Sequence, residues 1–301
     1  MKRLLAIGEG MAELREKSGV ISHSFAGDTY NMAVYAKRFS KQQSVSFMSS
    51  IGVDFLSKGF EKALSEESIE TRFIMHSPDK NIGIYAVETD DTGERTFRYW
   101  RNDSAAKQMM TLFAQQPELQ ALLRQQDMVF FSGITLAILD ESSRTALLTE
   151  LKAASKSGTL IAFDPNYRPT LWQDKSTAVK WITSAYEISD IVLPGLEDHE
   201  DLYGHTSIEE VRNFVTQMGS KEIVIKAGSG GVYASDISGD TFHQPFVPAP
   251  TQVDSTAAGD SFAGTYLAAR LALLPIEQAV INACDMAREV VQHPGAIIPV
   301  I

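Results

Sequence analysis

The chain has 301 residues, of which 44% are hydrophobic and 22% charged, enough to bury one large α/β core. Lys and Arg number 27 against 38 Asp and Glu; a formal charge of −11 without a basic run repels nucleic-acid phosphates. No stretch is apolar for long enough to span a bilayer, and Cys284 is the sole cysteine, so no internal disulfide is possible and a cytoplasmic location is expected.

Residues 2–7 read as a first strand. The opening MKRLLAIGEG has a basic pair and apolar residues, but Glu9 follows at once and no small-residue cleavage site is present, which argues against a signal peptide. Gly8-Glu9-Gly10 lacks the third glycine of a dinucleotide fingerprint and runs into strand-like residues, so a dehydrogenase is set aside. Helical spacing covers residues 30–39 and 56–64, on either side of a strand at 45–51, with Asp28 as N-cap of the first helix. From about residue 70 to 101 the chain reads as successive strands without a helix. Asp90-Asp91-Thr92-Gly93 supplies a turn between strands at 84–88 and 95–101. Alternation puts Phe97, Tyr99 and Arg101 on one face, and Thr96, Arg98 and Trp100 on the other. That pattern suits a lid over a polar ligand or a plain surface hairpin. Strands at 127–132, 159–163, 190–193 and 222–225 then alternate with helices at 142–154 and 208–218. A strand-rich segment at 232–246 turns at Ser238-Gly239-Asp240, and a last helix covers 261–273. Such alternation predicts a mostly parallel sheet covered on both faces, with ligands beyond the carboxyl ends of its strands.

The most informative segment is Asp254-Ser255-Thr256-Ala257-Ala258-Gly259-Asp260-Ser261-Phe262. Its small residues stand at a helix entrance, where backbone N–H groups are unpaired and the helix dipole is positive. Gly259 lets a ligand approach the backbone, and such donors suit a phosphoryl group in transfer. Asp260, in the first turn, is placed to accept the proton of an attacking hydroxyl. The same spacing also suits Asp254 or Asp260 as a simple helix cap.

DSTAAGDSF resembles the D-T-x-G-A-G-D signature of the ribokinase-like (PfkB) sugar kinases, with Ser255 and Ala257 where Thr and Gly are commoner. The resemblance implies a three-layer α/β/α fold with a mostly parallel central sheet and a small β-sheet lid. The core would span about 1–10, 26–70 and 104–301, and the lid about 11–25 and 71–103. It also implies Asp260 as the catalytic base and Ala257, Ala258 and Gly259 as the anion hole. GEGMAEL, AGDTYNMAVY, TGERTFRYWRNDSAAK, SGITLAIL, NYRPTLW, TAAGDSFAGTYLAARL and GAIIP are similar to the branch that phosphorylates 2-dehydro-3-deoxygluconate, a keto sugar acid. By that resemblance Gly27, Asp28 and Asn31 hold sugar hydroxyls, while Tyr85 and Tyr99 reach the substrate from the lid. A carboxylate bound to so acidic a protein needs local cations, and Arg101 and Arg168 are expected to converge on it.

For ATP, Lys226-Ala227-Gly228-Ser229-Gly230-Gly231 is similar to the family's K-x-G-x-x-G segment. This implicates Lys226, Gly228, Ser229 and Gly231, with Gly259 and Asn166 near the phosphates. The family's P-N-x-x-E reads Pro194-Gly195-Leu196-Glu197-Asp198 here. Gly195 has no amide and Asp198 is shorter than Glu, so Mg²⁺ is expected to meet Asp198 through water. A monovalent cation is left open. Ala26 stands where Gly is common and Arg98 where an aromatic is frequent; Arg98 should face away from the pocket. An apolar lid face is costly in water, so a lid-to-lid homodimer is expected, with no nucleic-acid or membrane partner. A kinase of a neutral ketose such as fructose and a non-catalytic sugar-acid sensor remain as alternatives.

Overall fold

The structure, a computed structural model, describes residues 1–17, 19–89 and 95–299. Its strands are β1 (Arg3–Ile7), β2 (Met11–Lys17), β3 (Val20–Ala26), β4 (Ser44–Ile51), β5 (Ile74–His76), β6 (Gly83–Thr89) and β7 (Arg95–Trp100). They continue with β8 (Met128–Ser132), β9 (Leu160–Asp164), β10 (Ile191–Val192), β11 (Glu222–Lys226), β12 (Val232–Asp236) and β13 (Thr241–Gln244). Among the described residues nine form one sheet, ordered β13-β12-β11-β10-β9-β8-β1-β4-β5, and four form another, ordered β3-β2-β6-β7. Pairings from β5 through to β11 are parallel; the β11–β12 and β12–β13 pairs are antiparallel.

Every residue of β4 and β8 is buried, as befits parallel strands covered on both faces. Alternation divides them between two cores. Leu5, Ile7, Val129 and Phe131 point to one face, Leu4, Ala6, Met128 and Phe130 to the other. Helices Glu141–Lys156, Lys175–Tyr186 and Ile208–Gln217 cover the first face; Asp28–Phe39, Ala258–Leu271 and Ile276–Val290 cover the second. Each large apolar side chain fully buried in these layers contributes about 1.5–3 kcal/mol. Two helices on the second face touch backbone to backbone: a Cβ on Gly264 would lie 2.3 Å from the Met32 carbonyl oxygen. This close crossing brings Asn31 and Asp260 together.

The structure corrects several expectations. The Asp28–Phe39 helix is capped by Gly27, and Asp28 is its first residue. The last predicted helix begins at Ala258, not at 261. Strand β5 pairs with β4, in register Ser49 with Ile74, and so belongs to the large sheet; the small sheet resumes at β6, later than residue 71. The turn expected at 90–93 lies outside the described residues. Tyr85 pairs with Tyr99 across β6 and β7, and the strand-rich segment at 232–246 holds β12 and β13. Among the described residues no helix is long and apolar enough to cross a membrane.

Candidate active site

The predicted residues gather beyond the carboxyl ends of the parallel strands, around the start of helix Ala258–Leu271. Ala257 is its N-cap in the left-handed region at φ 64°, with no side-chain cap bond. Asp254 accepts the Thr256 N–H at 3.0 Å and the Gly295 N–H at 2.7 Å, tying the turn to the C-terminal segment. Neither acid caps the helix. The first helical bond runs from Ser261 N to Ala257 O, so Gly259 and Asp260 offer N–H groups with no backbone acceptor among the described residues. A Cβ built on Gly259 would meet nothing within 4 Å, so the fold itself does not require glycine there.

Asp260 accepts the Asn31 amide N–H at 2.8 Å. Withdrawal of its carboxyl from water, and then the charges of Asp28 and Asp164, push its pKa up to about 7. Asp28 is also pushed upward, chiefly by burial, against hydrogen bonds from Ser132 and Asn166; the Asn166 amide donates to it at 3.1 Å. Asn166, at φ 33°, donates its own N–H to Asp164 at 3.1 Å. Asp164 in turn takes the Lys226 ammonium at 2.5 Å. Burial and Asp164 raise Asp198 to about 6, despite Lys226 and Arg168 nearby.

Lys226 opens onto a groove of about 590 Å³ that Gly228, Ser229, Gly231, Ala258 and Gly259 also line, with Phe246, Val247 and Phe262 among its apolar walls. The structure thus brings together every residue expected at the nucleotide except Asn166, which sits beyond Asp164. Gly231 has its own packing reason: at φ 85°, a Cβ would fall 2.1 Å from the Gln244 carbonyl oxygen. Cys284 also lines the groove, its thiol pushed up to about 11 by burial.

The small sheet covers the other side. Tyr99 is half exposed and stacks on Tyr85 at 5.7 Å, while Tyr85 is buried and donates its hydroxyl to Glu13. Arg15 binds the same carboxylate at 2.5 Å and reaches to 3.9 Å from Asp254, so the sheet touches the turn before the free N–H groups. Arg101 is buried, paired with Glu9 and 5.9 Å from the Tyr99 ring centre. Arg168 is exposed and donates to the Tyr167 carbonyl at 2.9 Å. The two arginines share no contact in this state. Gly27 has extended backbone and donates to the Asn31 side chain at 3.4 Å. Arg98 sits on the exposed side, 3.8 Å from Glu88.

Sequence reasoning missed Asp164, Glu9 and Ser104 as parts of this site, and read Asp254 only as part of the signature or a helix cap. The one legible signal was Asp164, a charged residue at the end of a buried strand. No cluster of three metal-ligating side chains occurs among the described residues. Asp164 and Asp198 repel one another, and their chemistry suits a cation held mainly through water and phosphate oxygens.

A two-sheet α/β architecture with a free helix N-terminus, a raised carboxyl and an apolar groove beside it defines a phosphoryl-transfer scaffold. The sequence pattern of pfkB family carbohydrate kinases matches residues 1–301, and the chain belongs to that family. It is 37% identical over 306 aligned positions to 2-dehydro-3-deoxygluconokinase of Dickeya dadantii (strain 3937), covering 99% of this chain and 97% of the relative. The Escherichia coli (strain K12) enzyme of the same name is 36% identical, with the same coverage. Among solved structures, a ribokinase II from Escherichia coli in complex with ATP and Mg²⁺ superimposes with a TM-score of 0.86 at 21% identity, over 98% of this chain and 94% of that one.

Proposed function

We propose that this carbohydrate kinase transfers the γ-phosphoryl group of ATP to the terminal hydroxyl of 2-dehydro-3-deoxygluconate, giving the 6-phosphate. The observation that carries the mechanism is Asp260. Its carboxyl is held near neutrality beside unpaired helix N–H groups, at the end of a groove of nucleotide size.

ATP lies in the groove against Gly228, Ser229, Gly231 and Gly259, with Lys226 and Asn166 toward its phosphates. The sugar acid enters under the small sheet. Gly27, Asp28 and Asn31 hold its hydroxyls, Tyr85 and Tyr99 shape the roof, and Arg101 and Arg168 face its carboxylate. Asp260 removes the proton of the terminal hydroxyl, and the N–H groups of Ala257 and Gly259 stabilise the charge developing on the transferred group; the Ala258 N–H, expected with them, is already bound to the Ser255 carbonyl at 3.2 Å. Mg²⁺, reached by Asp198 through water, would neutralise phosphate charge. Closing the small sheet excludes water as a competing acceptor.

The exposed Val20, Ile21 and Trp100 of the small sheet support a homodimer formed lid to lid. Sedimentation at micromolar concentration should give a dimer; a monomer alone would count against it. One observation favours a rival, a kinase of a neutral ketose such as fructose: Glu9 already neutralises Arg101. Arg168, exposed and acting on Asp198 only by its charge, then decides between the readings. The test is ATP-dependent ADP release with 2-dehydro-3-deoxygluconate, its C4 epimer, fructose and ribose, each with and without Mg²⁺. A strong preference for the keto acids supports the proposal, and preference for fructose or ribose overturns the substrate while leaving Asp260 in place.

A further inference from the structure

We infer that Glu9 is a positioning residue for sugar recognition, fixing the Arg101 guanidinium at the seam between the two sheets. The inference rests on the proposed contact of Arg101 with the sugar. Glu9 stands in the link between β1 of the large sheet and β2 of the small one, and Arg101 follows β7 of the small sheet, so their ion pair joins that link to the end of β7. Glu9 is 2% exposed and Arg101 7%. One carboxylate oxygen accepts from Arg101 Nη2, and the other accepts the Ser104 hydroxyl at 2.5 Å.

Two neighbouring glycines leave space for Glu9. A Cβ on Gly83 would lie 2.7 Å from Glu9 Oε1, and one on Gly27 would lie 2.2 Å from the Glu9 carbonyl oxygen. Glycine at both positions therefore makes room for Glu9, and Gly83 lets β6 pass beside it. A buried carboxylate held by Ser104 through its other oxygen orients the guanidinium it binds, and the guanidinium is cheaper to bury when its charge is matched. Arg101 Nε remains buried without a hydrogen-bond partner. An unpaired buried N–H is costly, and an oxygen-rich ligand at the sheet seam would satisfy it.

A simple clasp between the sheets would use the same ion pair, so the test needs a readout that a clasp would not move. Sugar KM, ATP KM, kcat and melting temperature are measured for Glu9→Ala, Ser104→Ala, Arg101→Ala and the Glu9→Ala/Arg101→Ala double variant. The sugar is 2-dehydro-3-deoxygluconate, or fructose if the acid is not turned over. If Glu9 acts through Arg101, Glu9→Ala raises sugar KM about tenfold or more, and the double variant stays within about twofold of Arg101→Ala, with ATP KM hardly moved. Ser104→Ala leaves the ion pair in place and serves if Glu9→Ala does not fold. It should raise sugar KM by about two- to fivefold alone and leave it unchanged in the Arg101→Ala background. An unchanged sugar KM in Glu9→Ala, or effects that multiply onto Arg101→Ala, reduces Glu9 to a clasp and overturns the inference. So does a Ser104→Ala variant that is silent, or equally harmful, in both backgrounds. An unchanged sugar KM in Arg101→Ala removes instead the contact on which the inference rests, and Glu9's role with it.

Discussion

Asp260→Asn changes one oxygen to an amide nitrogen and removes the proposed base while keeping its size. A general base supplies about 10²–10⁴-fold, so turnover should fall by that factor while sugar binding largely persists. The structure also fixes how the wild-type rate depends on pH. Folding raises the Asp260 pKa from its ordinary 3.8 to about 7. With a pKa there, roughly half the enzyme holds the base form at pH 7, about a tenth at pH 6 and about nine-tenths at pH 8. The assay is kcat/KM for the sugar at saturating ATP from pH 5.5 to 9; it should climb about tenfold per unit below neutrality and level off above pH 8. An unshifted carboxyl would give a flat profile over that range. Stability has the opposite slope. Because the folded pKa is raised, Asp260's contribution is fully present below 3.8 and is lost as pH rises through about 7. Asp260→Asn should therefore melt above wild type at pH 8, by a margin that narrows toward pH 5. A flat rate profile, or an Asn variant within about tenfold of wild-type kcat, would refute the general-base reasoning.

Asn31→Ala removes the amide that favours the charged form of Asp260, so the acidic limb of the same profile should move to higher pH; a limb that stays put would detach Asn31 from the base. Gly259→Ala adds a methyl into open space in the first helical turn, so the melting temperature should hold or rise slightly while ATP KM increases; an unchanged ATP KM would remove the backbone approach assigned to it. Gly231→Ala drives a Cβ against backbone at positive φ, and denaturant unfolding should show a loss of about 2 kcal/mol or more; a silent variant would mean the hairpin can shift.

What the sequence disclosed follows from how local each signal is. The apolar run of β8 and the small residues before Ala258–Leu271 are contiguous, so period and composition revealed them. Helix Ile276–Val290 went unread because its buried face is built partly of alanines, at 279 and 283, which carry little hydrophobic signal. Residues 74–76 looked like lid because a strand's sheet is set by its partner, and β4 lies more than twenty positions upstream. The cluster Asp28, Asn166, Asp164 and Lys226 joins three segments distant in the chain, which no spacing rule foretells. Arg101 was picked for its chemistry, but its partner Glu9 lies 92 positions away, and only the crossing of the two sheets reveals the pair. The cap fell on Gly27 instead of Asp28 because residues of both types are common at helix starts.

The central claim, that this kinase selects an anionic sugar through its exposed Arg168, is tested most directly on Arg168→Ala. The measurement is the ratio of kcat/KM for 2-dehydro-3-deoxygluconate to that for fructose, in wild type and in the variant. The account predicts a large ratio in wild type that falls by about tenfold or more in Arg168→Ala, with fructose turnover little changed. A ratio that is already near unity in wild type, or that survives the loss of Arg168, would contradict it.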